Sequence, residues 1–255
     1  MKIVIYTRSM NYDLYRLSSS SVSLPYKRKR CAFTSADGYL YDHIVKSNAD
    51  ILINLDEDAF IIDNEKLKKL IEFVIDNEYV NCGMSDGGVV DIRKHNPLVT
   101  NPYFNILNIK EIKKKFNLKE IQKNYSQHNQ DFEKFTPFNL MKTQFSYDYF
   151  EPYNPFFVWL AVNFKTLFLD ADVHSDGIST VLHDHLGSPF LYHSWYSRFY
   201  GVDENHTKRI KDLYAEATGN IVQKPSILNK IIHLKDQLGM KYYYPLKLRI
   251  EDKLR

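Results

Sequence analysis

Three consecutive acids, Asp56-Glu57-Asp58, follow directly on Ile51-Leu52-Ile53-Asn54-Leu55. An apolar run of that length, rich in β-branched residues, reads as a strand buried on both faces of a parallel sheet. Carboxylates do not stay unpaired in such a core, so the strand ends where Asp56 emerges. Alternation along an extended backbone turns Asp56 and Asp58 to the same side. Ligands bind at the carboxyl end of strands in an open α/β sheet. Two acids there suit Mg²⁺ or Mn²⁺ carrying a ligand's phosphates. The competing reading is a solvated acidic turn.

Other stretches carry residues of the right kind. Asp37-Gly38 opens a helical stretch over 39–47; Asp37 is typed to cap it and Gly38 lets the backbone approach something closely. Ser85-Asp86-Gly87-Gly88 turns the chain sharply after a strand over 80–84, and the pattern serves a plain turn or a sugar contact equally well. Asp176 precedes an expected helix, 178–186, closed by Gly187, and capping that helix is a sufficient job for it. His193 lies among aromatics, where a satisfied core histidine is the ordinary outcome. His174, His183, His185 and His206 fit no tetrahedral zinc template.

The elements that must position these residues alternate. A strand over 1–6 leads through a Ser-rich segment to the basic run Lys27-Arg28-Lys29-Arg30 and a second strand at 31–34. The basic run reads as a solvated strand edge. An amphipathic helix over 63–77 buries Leu67, Leu70, Ile71, Val74 and Ile75. Proline breaks up 95–104, a lysine-rich helix covers 110–120, and 124–149 is irregular and aromatic. The run over 155–162 must be core. The division expected is a catalytic domain over 1–215 and a helical, basic extension over 216–255.

The totals narrow the class. With 255 residues and 44% hydrophobic content the chain can build one large α/β core, and a net charge of +3 does not single out nucleic acid as a partner. Two cysteines exclude a disulfide framework and a cysteine zinc site. No signal peptide is recognised before the first strand and no apolar run reaches membrane-spanning length, so the expectation is a cytoplasmic protein. The basic, apolar C-terminal segment adds an expected contact with the inner face of a membrane.

The order strand, Gly-containing loop, helix, hydrophobic strand and D-x-D resembles the nucleotide-sugar half of a GT-A glycosyltransferase, on Ala36-Asp37-Gly38 and Asp56-Glu57-Asp58, over about residues 1–200. The resemblance implies a Rossmann-like α/β fold: a mixed, mostly parallel sheet flanked by helices, with a C-terminal helical extension. It implies that Asp56, Asp58 and His193 hold Mn²⁺ or Mg²⁺, and that Asp37, Gly38, Asp56, Asp86, Gly87, Gly88 and Arg198 contact a nucleotide-diphosphate sugar, UDP-linked. Asp176 then occupies the position of the catalytic base of an inverting enzyme, with Ser175 where the family has Glu; Asp172 and Asp86 remain alternatives. The activity implied is family-2-like hexosyl transfer to a saccharide or lipid-linked acceptor in cell-surface polysaccharide synthesis. Two other classes stay open: a haloacid-dehalogenase-like phosphatase, which also places D-x-D after a strand, and a non-catalytic sugar-nucleotide-binding protein.

Overall fold

The computed structural model describes the backbone of residues 1–254 and the side chains of residues 1–250. The first strand, β1 (Ile3–Arg8), is followed by helix α1 (Tyr12–Ser21), capped by Asn11, whose side chain accepts from the amides of Asp13 and Leu14. Next, β2 (Lys27–Cys31) shows that the basic run is itself the strand, with Lys27 and Lys29 facing solvent and Cys31 buried. Helix α2 (Ala36–Gly38) continues into a π-helical turn, Tyr39–Ile44. Ser35, not Asp37, caps it, its Oγ accepting from Gly38 N at 3.1 Å. There follow β3 (Ile51–Leu55), β4 (Ala59–Ile61), α3 (Asn64–Asp76), β5 (Asn81–Met84) and β6 (Phe104–Asn108). The lysine-rich stretch forms two short helices, α4 (Ile109–Lys115) and α5 (Leu118–Asn124), because Asn117 starts a new one by capping Glu120 N. Beyond the irregular segment lie α6 (Asn154–Asn163), β7 (Thr166–Leu169), β8 (Ala171–Val173), β9 (Thr180–His183) and β10 (Pro189–His193). The C-terminal part is helical: α7 (Glu204–Thr218), α8 (Ile227–Leu238), a π-helical turn at Gly239–Tyr243 and α9 (Tyr244–Leu254). Thus α7 runs through position 215, where the catalytic domain was expected to end.

Two sheets result. Six strands lie in the order β2-β1-β3-β6-β5-β7, and only β6 runs against its neighbours. Four short strands, β4-β10-β9-β8, form a separate antiparallel sheet. The fold is therefore α/β with a mixed, mostly parallel sheet flanked by helices.

All five residues of β3 are buried. Ile51, Ile53 and Leu55 join the cluster containing Leu67, Leu70, Ile71 and Val74 of α3. Leu52 faces the other way, into the cluster of Tyr39, Leu40, Ile44 and the α6 residues Phe156, Phe157 and Leu160. Helices thus cover both faces, which is why the run lacks polar alternation. Its one amide is satisfied: Asn54 Oδ1 accepts from Tyr39 Oη at 2.7 Å, and its Nδ2 donates to Asn105 Oδ1 at 3.1 Å across the β3–β6 ladder.

The helix expected over 178–186 is absent. Gly177 takes φ +73° and the Asp176 side chain accepts from the amides of Ile178 and Ser179, which closes a hairpin between β8 and β9. Within β9 Thr180 and Leu182 are buried while Val181 and His183 are less so, a period of two, as a strand with a half-exposed face requires. No helix among the described residues is long and apolar enough to cross a membrane.

Candidate metal centre and adjoining cleft

Asp56 leaves the carboxyl end of β3, and three residues later the chain enters β4 in the second sheet. Strand β10 pairs antiparallel with β4, and the register places His193 opposite Ala59. The ladder continues one bond further, with Ser194 N donating to Asp58 O at 3.0 Å. A residue 135 positions away is thereby set beside the acidic triplet: His193 Nε2 lies 3.2 Å from Asp58 Oδ1. Ser194 Oγ donates to Asp58 Oδ2 at 2.9 Å. Among the described residues, Asp56, Asp58 and His193 are the group able to hold a metal ion, each offering a ligand atom within 4.8 Å of the others.

The donor set fits a hard divalent cation. Two carboxylates and an imidazole suit Mg²⁺ or Mn²⁺ with positions left for a ligand's oxygens. Two ligands in adjacent octahedral positions, each about 2.1 Å from the ion, stand about 3 Å apart, close to the separation of His193 Nε2 and Asp58 Oδ1. The imidazole is held by its neighbours, parallel to Tyr103 with centroids 4.2 Å apart and edge-on to Trp195 at 4.2 Å. Its Nδ1 is buried with no hydrogen-bond partner, which leaves the ring unanchored except through its stacking and its contact with Asp58.

The electrostatics divide the two aspartates. Burial, and next the charge of Asp58, push the Asp56 carboxyl above its ordinary value. Burial also acts against ionised Asp58, but the His193 charge and the hydrogen bonds from His193 and Ser194 outweigh it and hold that carboxyl low. A cation between them would remove the repulsion that Asp56 feels. The middle acid does different work. Glu57 Oε2 accepts from the amides of Met10 and Asn11 at 3.0 and 2.9 Å, tying the β1–α1 loop to the site. Burial, then Asp56, push the Glu57 carboxyl up to about 8.

Trp195, edge-on to His193, also lines a cleft of about 410 Å³, together with Arg93, Phe150, Glu151, Tyr196 and Arg198. Trp195 and Tyr196 both take left-handed backbone conformations, at φ 58° and 59°. Two successive aromatic residues in that region cost on the order of 1–3 kcal/mol each, and such strain gathers at functional sites. Arg198 is exposed here and has no carboxylate partner among the described residues. Glu151, which the sequence reading passed over, is half-buried, and burial raises its carboxyl above the ordinary value against the opposing charges of Arg93 and Arg8. Arg8, at the carboxyl end of β1, donates its Nε to Thr34 O at 3.1 Å, and its charge opposes the rise of both Asp56 and Glu151.

Other expected site residues have structural work. Both oxygens of Asp176 are taken: Oδ1 by the amides of Ile178 and Ser179, Oδ2 by Ser179 Oγ at 2.6 Å and Arg209 Nη1 at 3.3 Å. Burial opposes the charge, yet these donors hold the carboxyl down at about 2. A carboxylate so satisfied is a poor proton acceptor, so the base assignment to Asp176 is withdrawn. Asp86 is buried and forms a bidentate pair with Arg93, at 2.6 and 2.7 Å, and accepts from Asn101 Nδ2. Gly87 and Gly88 admit the chain's own backbone: a Cβ at Gly87 would fall 2.2 Å from His95 O. At Gly88, φ +83°, it would fall 2.7 Å from Met141 Sδ. Gly88 O accepts from the amides of Lys142 and Thr143, which pins the irregular segment down. At Gly38 a Cβ would meet the capping Ser35 Oγ at 2.7 Å, so that glycine serves its own helix start, and Asp37 is half-buried in the same turn. Asp172 pairs with Lys142 and lies three strands from β4, about 14 Å at ordinary strand spacing.

No family model and no curated protein matches this chain. Among solved structures, A197 from STIV is similar at 14% identity, with 46% of this chain and 69% of that chain covered and a TM-score of 0.33. A likeness this loose carries no argument.

Proposed function

We propose that this chain is a divalent-cation-dependent, GT-A-type glycosyltransferase that takes a nucleotide-diphosphate sugar and is inverting. The supporting observation is the convergence of Asp56, Asp58 and His193 at the carboxyl end of a buried parallel strand, beside a cleft. When bound there, the cation supplies neutralisation of the donor's diphosphate. Arg198, exposed and without a carboxylate partner among the described residues, offers its planar fork to the same diphosphate, and Arg8 adds positive charge near Asp56. Trp195 and Phe150 give the cleft apolar faces on which sugar rings can lie. Glu151 replaces Asp176 as the base, because it is half-buried in that cleft with its carboxyl raised towards the working range of a proton acceptor. The bond from the acceptor oxygen to the anomeric carbon forms as the bond from that carbon to the diphosphate oxygen breaks. The acceptor proton passes to Glu151 and the nucleoside diphosphate leaves.

The test is turnover of a panel of nucleotide sugars with Mn²⁺ or Mg²⁺, by transfer or slow hydrolysis. Metal-dependent release of a nucleoside diphosphate, lost in Asp56→Asn, supports the reading. Nucleotide binding without turnover across the panel replaces it with a binding protein.

A further inference from the structure

Helix α8, the π-helical turn and α9 form one continuous helical rod that leaves a long apolar stripe outside. Its inward side combines the packing of Phe33 against Gly239 and Tyr243 with several polar ties. Asp236 is buried against Arg30. Lys247 Nζ donates to Phe33 O at 2.8 Å, Tyr244 Oη donates to Thr34 O at 3.3 Å, and His233 Nδ1 lies 3.6 Å from Asp13 Oδ2. The outward side carries Ile227, Ile231, Leu234, Leu238, Leu246 and Ile250, with exposures from 50% at Ile250 to 79% at Ile227. A helix that serves only its own core turns its apolar stripe inward. This stripe runs about 35 Å at 1.5 Å per residue, far longer than a stray exposed leucine.

Charge identifies what covers it. Residues 224–250 hold, besides the inward Lys247, five cations (Lys224, Lys230, Lys235, Lys241 and Arg249) and a single acid, Asp236, already committed to Arg30. The inward end of the rod borders a second basic feature. Lys29 and Lys247 both face His43, which lines a cleft of about 510 Å³ together with Lys27 and Lys29 of the edge strand β2. A second copy docked along the stripe would bring like charges together, which disfavours it. An acyl boundary beneath anionic headgroups satisfies both the apolar stripe and the cations.

We propose that residues 227–250 lie in the interfacial layer of an anionic lipid bilayer, with the isoleucine and leucine stripe in the acyl boundary and the flanking cations against headgroup phosphates. No part of this surface belongs to the Asp56–Asp58–His193 centre, so it stands or falls separately from the transferase reading. The test is co-sedimentation of the full chain with vesicles of phosphatidylcholine alone and with about 30% phosphatidylglycerol added, a content that gives a leaflet a negative surface potential. Binding should be at least about tenfold greater on the anionic vesicles, as expected where apolar burial and electrostatic attraction act together. The double variant Leu234→Glu/Leu238→Glu should lose it by about the same factor, since charges replace two residues of the acyl-facing stripe. Lys235→Glu/Lys241→Glu, which leaves the apolar stripe intact, should also weaken it. All these side chains are exposed, so melting temperature and any metal-dependent nucleotide shift should match those of the parent chain. Failure of the parent chain to prefer anionic vesicles overturns the proposal. So does undiminished binding by the leucine variant, or a dimer in sedimentation velocity that this variant dissolves.

Discussion

Replacing Asp58 by Asn tests the metal centre with the least disturbance of the fold. The side chain is 2% exposed, and its two oxygens meet His193 Nε2 and Ser194 Oγ. An amide of the same shape keeps the Ser194 contact but loses the charge-assisted bonds, costing the metal-free protein about 1–3 kcal/mol. For a chain of this length each kcal/mol moves the melting temperature by about 2–4 °C. The effect on the cation is larger. With Mn²⁺ and a nucleoside diphosphate at about 100 times their joint dissociation constant, the parent chain gains about 2.7 kcal/mol, or about 5–10 °C. If losing one carboxylate ligand weakens binding about 100-fold, that concentration becomes the dissociation constant and the gain falls to about 0.4 kcal/mol, about 1–2 °C. Thermal denaturation of both proteins, each with EDTA, Mn²⁺ alone, and Mn²⁺ plus UDP, reads the difference directly. Full metal-dependent stabilisation in Asp58→Asn, or none in the parent chain, refutes the reasoning and leaves the aspartate–histidine pair as a brace between β4 and β10.

Other perturbations give separate outcomes. Gly88→Ala places a Cβ at φ +83° against Met141 and Thr143 and should cost about 1–3 kcal/mol, read from urea denaturation. Asp236→Ala leaves Arg30 partly buried without its carboxylate and should cost about 3 kcal/mol, with faster proteolysis between 219 and 226 as α8 loosens. Asp176 carries a carboxyl depressed from 3.8 to about 2. Its contribution is therefore complete above about pH 4 and disappears as the pH falls towards 2. Asp176→Asn should be less stable at neutral pH and should flatten the decline between pH 4 and 2 in acid denaturation. Glu151→Gln should cut transferase turnover by about 10²–10⁴-fold while leaving the metal-dependent nucleotide shift in place, measured by product release beside thermal denaturation.

The central strand was legible because burial on both faces writes itself into composition: Ile51 to Leu55 needed no polar alternation once α3 and α6 covered them. The meeting of His193 with Asp58 was expected only through a resemblance. Its physical cause, the pairing of β10 with β4, involves a three-residue strand too short to show a period. The hairpin at 176 misled because an Asp followed by Gly and a short apolar run starts a turn or a helix with equal ease. By residue type Thr180-Val181-Leu182-His183 does not alternate, so the period of two shows only in the burial of the folded strand. Asp86 and the two glycines looked like ligand contacts for a related reason. Their partners, Arg93, His95 and Met141, come from chain segments whose approach no local pattern announces. Glu151 was passed over because a half-buried acid in an irregular segment has no periodicity to mark it; its environment is made by Arg8 and Arg93, which are distant in sequence.

The carboxylate of Asp56 belongs to the end of the six-stranded sheet, while Asp58 and the imidazole of His193 belong to the four-stranded one. An ion held by all three would work as a clasp between the two layers. Chelation would then slacken the step from Asp56 to Asp58, where the chain passes from one sheet to the other. Cleft shape and mechanical stiffness would rise and fall together with the supply of cation.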